Sequence, residues 1–197
     1  DIRDDLTLEG ASAGTTIIDG GALDRVLHVQ PMNVATLAVT VRDVTLRNGA
    51  VTNIYGAGIL HADDGSLLVE DAIVTDNHVS GVTVDTIGGG IAANGTGSLT
   101  IRRTSLTSNS AYRGAAIFHN GPLQLADSTV SANTAAGSAV LDSYGFLLVE
   151  RCAFHGNTGG VLFVDGGTIS NSTVSGNNSS SGTTISAFTS GIWIESS

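Results

Sequence analysis

Apolar residues recur at every second position over short runs of this chain, and the runs themselves recur. Leu67, Val69 and Val74 are followed by Leu99, Ile101 and Leu106, then by Leu123, Leu125 and Val130, then by Leu147, Val149 and Phe154, with polar or small residues between them. Alternation of period two predicts short strands that each bury one face. Each set is framed by a glycine and, twelve residues on, an asparagine: Gly65 and Asn77, Gly97 and Asn109, Gly121 and Asn133, Gly145 and Asn157. A second signature follows, as GAGI at 56–59, GGGI at 88–91, GAAI at 114–117 and GSAV at 137–140, with degenerate copies of the unit at 37–49 and 166–177.

A unit this short cannot bury its apolar face alone, so successive units must stack and share one core. Strands rather than helices make the stack a β-solenoid. The expected fold is therefore all-β, a right-handed parallel β-helix of about seven turns forming one domain over 1–197. The final SGIWIESS reads as a strand without a polar cap, so the sequence reads as a piece of a longer protein, or as one whose ends meet partners.

Stacking puts equivalent positions on top of one another, which assigns several residues to columns. Asn77, Asn109, Asn133, Asn157 and Asn177 are expected to form a ladder at one corner, where asparagine tolerates left-handed backbone and its amide can bond to its copies. One outward column reads Asp43, Asp71, Arg103, Asp127, Arg151, Asn171, and its neighbour reads Arg42, Glu70, Arg102, Ala126, Glu150, Ser170. Opposite charges meet in successive turns, as expected of columns that set register. Cys152 shares its column with Val44, Ala72, Thr104, Ser128 and Ser172, which predicts an inward, inert thiol. The hydroxyl column Thr45, Ser105, Thr129, Thr173 is broken by Ile73 and Ala153, which argues against an ice-binding array.

Charge narrows the partners. Eight basic residues, all arginine, face 18 acidic ones for a net charge of −10, which argues against nucleic acid and anionic membrane. No apolar run reaches the roughly 18 residues that a membrane helix requires, so no direct membrane insertion is expected. A single cysteine excludes an internal disulfide.

The order DDLTLEGASAGTTIIDGGALDRVLHV at 4–29, VTLRNG at 44–49 and then repeated GGGI and STVSxN units resembles the bacterial CSLREA-domain proteins. Their β-helix repeats are similar to those of the chlamydial polymorphic outer-membrane proteins. The CSLREA motif itself is absent. The resemblance implies an exported surface or adhesive protein and supplies no catalytic residues.

Candidate chemistry is sparse. Asp63 and Asp64 in HADDG could hold calcium weakly, whereas arginines interrupt the acids of the charged columns and make those a poor cation site. No other cofactor or metal is indicated. The motifs of a polygalacturonase-type hydrolase are missing. His61 and His119 occupy one repeat position, and counting from the GSAV signature puts Asp142 there too, so a structural His119–Asp142 contact is expected. The lack of an acid/base constellation favours a non-catalytic protein, and the resemblance implies one that is secreted or at the cell surface, acting in adhesion or structural assembly. Its partners would be other protein subunits or surface glycans. A carbohydrate-binding or lyase-like polysaccharide-degrading β-helix is the rival. The first would need exposed aromatics on one face, for which Tyr55, Tyr112, Tyr144 and Trp193 are candidates; the second would need converging carboxylates.

The period fails at one step: Asn77 to Asn109 spans 32 residues, against 24 for the next two. The surplus is expected in HVSGVTVDTIGGG at 78–90 as an outward bulge, with Val82, Val84, Asp85 and Ile87 as a contact surface and no stacked residue within 79–86.

Overall fold

The computed structural model describes residues 1–30, 36–179 and 184–195. Every regular element among them is a β-strand, and every pairing between strands is parallel. No helix among the described residues is long and apolar enough to cross a membrane.

Three columns of strands wind about one core. The first sheet stacks Leu6–Glu9, Ala38–Arg42, Ser66–Glu70, Leu99–Arg102 and Leu123–Ala126, then the distal parts of the long strands Thr134–Glu150, Thr158–Ser170 and Ile185–Glu195. The second stacks seven strands, from Ile17–Asp19 through Ser105–Thr107 to Thr173–Ser175. The third runs from Leu27–Val29 through Ile59–His61, Ile91–Ala93 and Ile117–His119 into the proximal parts of the long strands. A short fourth column, including Ala50–Thr52 and His78–Ser80, continues each turn from the second sheet towards the third.

Register follows the repeat. Leu67, Leu99, Leu123 and Leu147 are mutual neighbours, as are Val69, Ile101, Leu125 and Val149, and Val74, Leu106, Val130 and Phe154. All twelve are buried, so the alternation in the sequence is the alternation between core and solvent.

Each turn is bent by a left-handed residue on either side of the second sheet. Asp43, Asp71, Arg103, Asp127, Arg151 and Asn171 have φ between 49° and 57°, and Asn48, Asp76, Ser108 and Ala132 have φ of 55–56° before glycines 156 and 176 take the same role. The left-handed residue therefore precedes each ladder asparagine, correcting the expectation that the asparagine itself adopts that conformation. The framing glycines have a different cause. A Cβ on Gly97 would sit 1.8 Å from the Gly65 carbonyl oxygen, and one on Gly145 2.0 Å from that of Gly121. Successive turns approach too closely there for any side chain.

The eight surplus residues before Asn109 are divided. From His78 to Ile91 the chain takes six residues more than from Ser110 to Ile117, and from Ile91 to Leu99 two more than from Ile117 to Leu123. Most of the surplus thus lies within 78–90, and the remainder lies in the turn at 94–98.

Candidate functional site

The asparagine corner is the most uniformly built polar feature. Asn77, Asn109, Asn133 and Asn157 have no exposed surface. The backbone N and Nδ2 of each donate to Oδ1 of the next, at 3.1 and 3.0 Å for Asn77 to Asn109, 2.9 and 3.1 Å for Asn109 to Asn133, 2.9 and 3.1 Å for Asn133 to Asn157, and 3.0 and 2.9 Å for Asn157 to Asn177. The second amide hydrogen goes to a backbone carbonyl, Val74 O from Asn109 and Val130 O from Asn157. Gly49 N donates to Asn77 Oδ1 and closes the lower end. Each side chain thus satisfies backbone that the corner would otherwise leave buried and unpaired.

The outward charged columns meet as their spacing predicts. Arg103 donates two bonds to Asp71, at 2.8 and 2.7 Å, and Arg151 two to Asp127, at 2.6 and 2.8 Å. In the neighbouring column Arg42 reaches Glu9 at 2.6 Å, Arg102 reaches Glu70 at 2.7 Å, and Arg103 also bonds Glu70. The arginine bonds hold the carboxyls of Asp71, Asp127 and Glu70 below their usual range. These carboxylates face their neighbours in the stack, and the geometry is that of a clamp between turns.

The double aspartate is split between two tasks. Asp63 is buried, with its carboxylate accepting from Leu37 N and Gly65 N at 2.9 Å each, whereas Asp64 is exposed and accepts from Thr96 N and Oγ1. Thr96 holds the Asp64 carboxyl below its usual range.

His61 and His119 both point inward, in one column with Ala93 between them and Ser143 beyond. Burial lowers the pKa of both rings. His61 Nε2 lies 3.0 Å from Asp63 Oδ1 without hydrogen-bond alignment, and the His119 nitrogens face the Ala93 and Pro122 carbonyls. The expected His119–Asp142 contact is corrected: Leu141 pairs with Ile117, so Asp142 pairs with Phe118 and points to the opposite face. The GSAV signature sits one residue out of register with GAAI.

Asp142 instead meets Arg113, whose Nε donates to Oδ2 at 3.0 Å. The guanidinium lies over the rings of Phe118 and Tyr144, and also bonds the Tyr144 hydroxyl. Burial raises the Asp142 carboxyl above its ordinary range against the opposing pull of Arg113. Sequence reading missed this pair, although Asp142 lies 24 residues after Phe118 and so in its column.

The inserted segment is partly surface and partly frame. Val82 is 80% exposed and Val84 64%, and exposed Asp85 accepts from the Tyr55 hydroxyl at 3.3 Å. Ile87 is buried and bridges Tyr55 below and Arg113 above, so it is corrected from a contact residue to a structural one. Val79 is also buried, packed with Val51, Ala57 and Ala111, and the Thr86 carbonyl accepts from both Tyr112 N and Arg113 N. The expectation that 79–86 contains no stacked residue is therefore overturned.

A family model of the right-handed β-helix region matches residues 36–197, the part of the chain that carries these ladders. The chain belongs to that family. Comparison with curated proteins and with solved structures gave no match.

Within this β-helix, Cys152 lies as its column predicts, buried, with its thiol against the carbonyls of Leu125 and Glu150 and its pKa raised by burial. The β-helix also presents two aromatic side chains outward on the first sheet, Phe146 at 65% exposure and Trp193 at 73%. Trp193 is one of the aromatics singled out from the sequence. Phe146 was missed because it precedes the alternating run LLVE instead of lying in it, yet its column position, one before inward Leu147, marks it as outward.

Proposed function

We propose that this β-helix is a non-catalytic scaffold, secreted or displayed at a cell surface, that serves adhesion or structural assembly through contacts with other subunits or surface glycans. One observation carries the reading. All eight arginines are engaged within the chain: Arg3 with Asp1, Arg25 with the carbonyls of Tyr55 and Gly56, Arg42 with Glu9, Arg47 with Asp19, Arg102 and Arg103 with Glu70 and Asp71, Arg113 with Asp142, and Arg151 with Asp127. The chain contains no lysine. Seven of these guanidinium groups hold neighbouring turns together and the eighth, Arg3, bonds Asp1 within its own segment, leaving none unengaged to hold a polyanionic sugar or to serve as its proton acceptor. The resemblance to the CSLREA-domain and polymorphic outer-membrane proteins points the same way.

The test is incubation with polygalacturonate, alginate and chondroitin sulfate, with and without calcium, following both unsaturated products and new reducing ends. No turnover is expected in any arm. Sustained turnover in any arm overturns the reading in favour of a polysaccharide-degrading enzyme.

A further inference from the structure

The outward side of the first sheet holds a strip without charge. Two columns, one from Ser98 to Gly191 and one from Thr100 to Trp193, cross five rungs without an ionisable side chain, on a chain whose net charge is −10. Phe146 stands in the first column and Trp193 in the second. Above Phe146 the first column continues as Gly166 and Gly191, so bare backbone floors the strip beside Trp193. Below Phe146 a recess of about 220 Å³ is bordered by Thr100, Gln124 and Leu148. Gln124 is exposed, and Thr100 and Thr168 are partly so, placing an amide and a hydroxyl on the two rungs below Phe146 and one hydroxyl on the rung between the aromatic positions.

Size and chemistry select the occupant. Three residues of strand at about 3.3 Å each and five rungs about 4.8 Å apart give a strip of roughly 10 by 24 Å, about 240 Å² in projection. That is well short of the roughly 800 Å² per partner that a stable protein interface buries. Phe146 and Trp193 lie two rungs and two residues apart, about 12 Å on the same spacings, so a ligand touching both must be extended and narrow. An aromatic face, with its negative quadrupole, attracts polarised C–H groups, and the amide and hydroxyls require a ligand rich in hydrogen-bonding groups. Nothing on the strip would offset the charge of an acidic or basic ligand. We propose that this strip binds a neutral, linear polysaccharide diagonally across the rungs, stacking sugar rings on Phe146 and Trp193 while Gln124 and Thr168 bond their hydroxyls. The proposal rests on the adhesion reading and names what is adhered to.

Trp193 is the chain's one tryptophan, so its emission reports on the strip directly. The experiment titrates the protein with cellohexaose, laminarihexaose and maltohexaose, with hexagalacturonate as the acidic control. A saturable change in emission is expected with at least one neutral hexasaccharide and none with the acidic one. Phe146→Ala is expected to bind tenfold or more weakly and Gln124→Ala several-fold more weakly, both with unchanged circular dichroism and melting. The proposal is overturned if no neutral hexasaccharide binds saturably, if Phe146→Ala binds as well as the parent, or if sedimentation shows a dimer that Phe146→Ala dissolves. The two readings fail separately. Absence of binding removes the strip and leaves the non-catalytic scaffold standing, whereas cleavage of a bound hexasaccharide supports the strip as its site and overturns the scaffold.

Discussion

Asn133 holds Asn157 by two bonds to a single oxygen: its backbone N and its Nδ2 both donate to Asn157 Oδ1, at 2.9 and 3.1 Å. The same oxygen therefore caps a backbone amide and orients the side chain that caps the turn before it. Replacing Asn133 with Ala leaves two donors of Asn109 without that acceptor in a buried corner. At about 1–3 kcal/mol for each unsatisfied buried group, the expected loss is about 3 kcal/mol. A lower denaturant midpoint with an unchanged slope would show it, and a midpoint within error of the parent would contradict the ladder's role.

Leu125 is fully buried between Ile101 and Val149. Leu125→Ala is expected to cost about 3 kcal/mol through lost burial and the cavity left behind. Leu125→Asp adds a buried charge without a partner and is expected to prevent cooperative folding, as seen in a thermal melt followed by circular dichroism. A near-parental melt for the aspartate variant is the contrary result.

Arg103→Glu places a carboxylate among Glu70, Asp71 and Asp127 in place of the bonds that join the turns. The melting temperature is expected to fall, and to fall further at low ionic strength, because the new repulsion is solvent-exposed and screened by salt. Arg103→Gln removes the charge without the repulsion and is expected to show the smaller salt dependence. Equal salt dependence in the two variants would contradict repulsion across the stack.

Acid is expected to weaken the fold in two stages. His61 and His119 have folded pKa values below the ordinary 6.5, so the unfolded chain binds more protons and stability falls as pH drops below about 6.5. Asp71, Asp127 and Glu70 have lowered values too, and their contribution is lost at still lower pH, beginning near the ordinary carboxyl range. Asp142 opposes this trend, since its raised value makes protonation easier in the folded state. Chemical denaturation from pH 8 to 5 should show the first stage, and His119→Gln should reduce its slope.

Within the inserted segment, Val82→Ser with Val84→Ser should leave the melt unchanged because both side chains are exposed. Deleting 79–86 should destabilise the domain markedly, since it removes buried Val79 and the Thr86 carbonyl that orders Tyr112 and Arg113. Equal melts for these two variants would contradict this division. Adhesion measured with the double serine variant then tests the exposed valines as a contact surface.

The columns were legible in the sequence because a parallel stack repeats its chemistry at each level: Leu99 over Leu67 and Arg103 over Asp71 need only a constant period to be found. Where the period slips, the reading slipped with it. Asp142 was placed one residue away from its level because the similar GSAV and GAAI signatures are not equivalent, and hydrogen bonding, not similarity, fixes register there. The outward assignment of Ile87 follows from taking the inserted loop as wholly outside the stack, whereas both His78 and Ile87 within it bridge two turns. The left-handed residues were misplaced by one because Asn is the usual choice for that conformation, while here Ser108, Ala132 and the arginines adopt it. Phe146 and Trp193 meet on one face only through a long-range register that no local pattern reveals.

Turns of quite different length share the same asparagine corner: 32 residues separate Asn77 from Asn109, 24 separate Asn109 from Asn133, and 20 separate Asn157 from Asn177, with the ladder bonds intact throughout. Mutation is thereby offered two kinds of change. Duplication or loss of a whole turn keeps the corner-to-corner bonds, and differences in length are taken up between a corner asparagine and the next strand of the first sheet. A lineage can then remodel its outer relief rapidly while inheriting an unchanged spine, and a foreign peptide grafted in place of 82–85 should be carried in the same way.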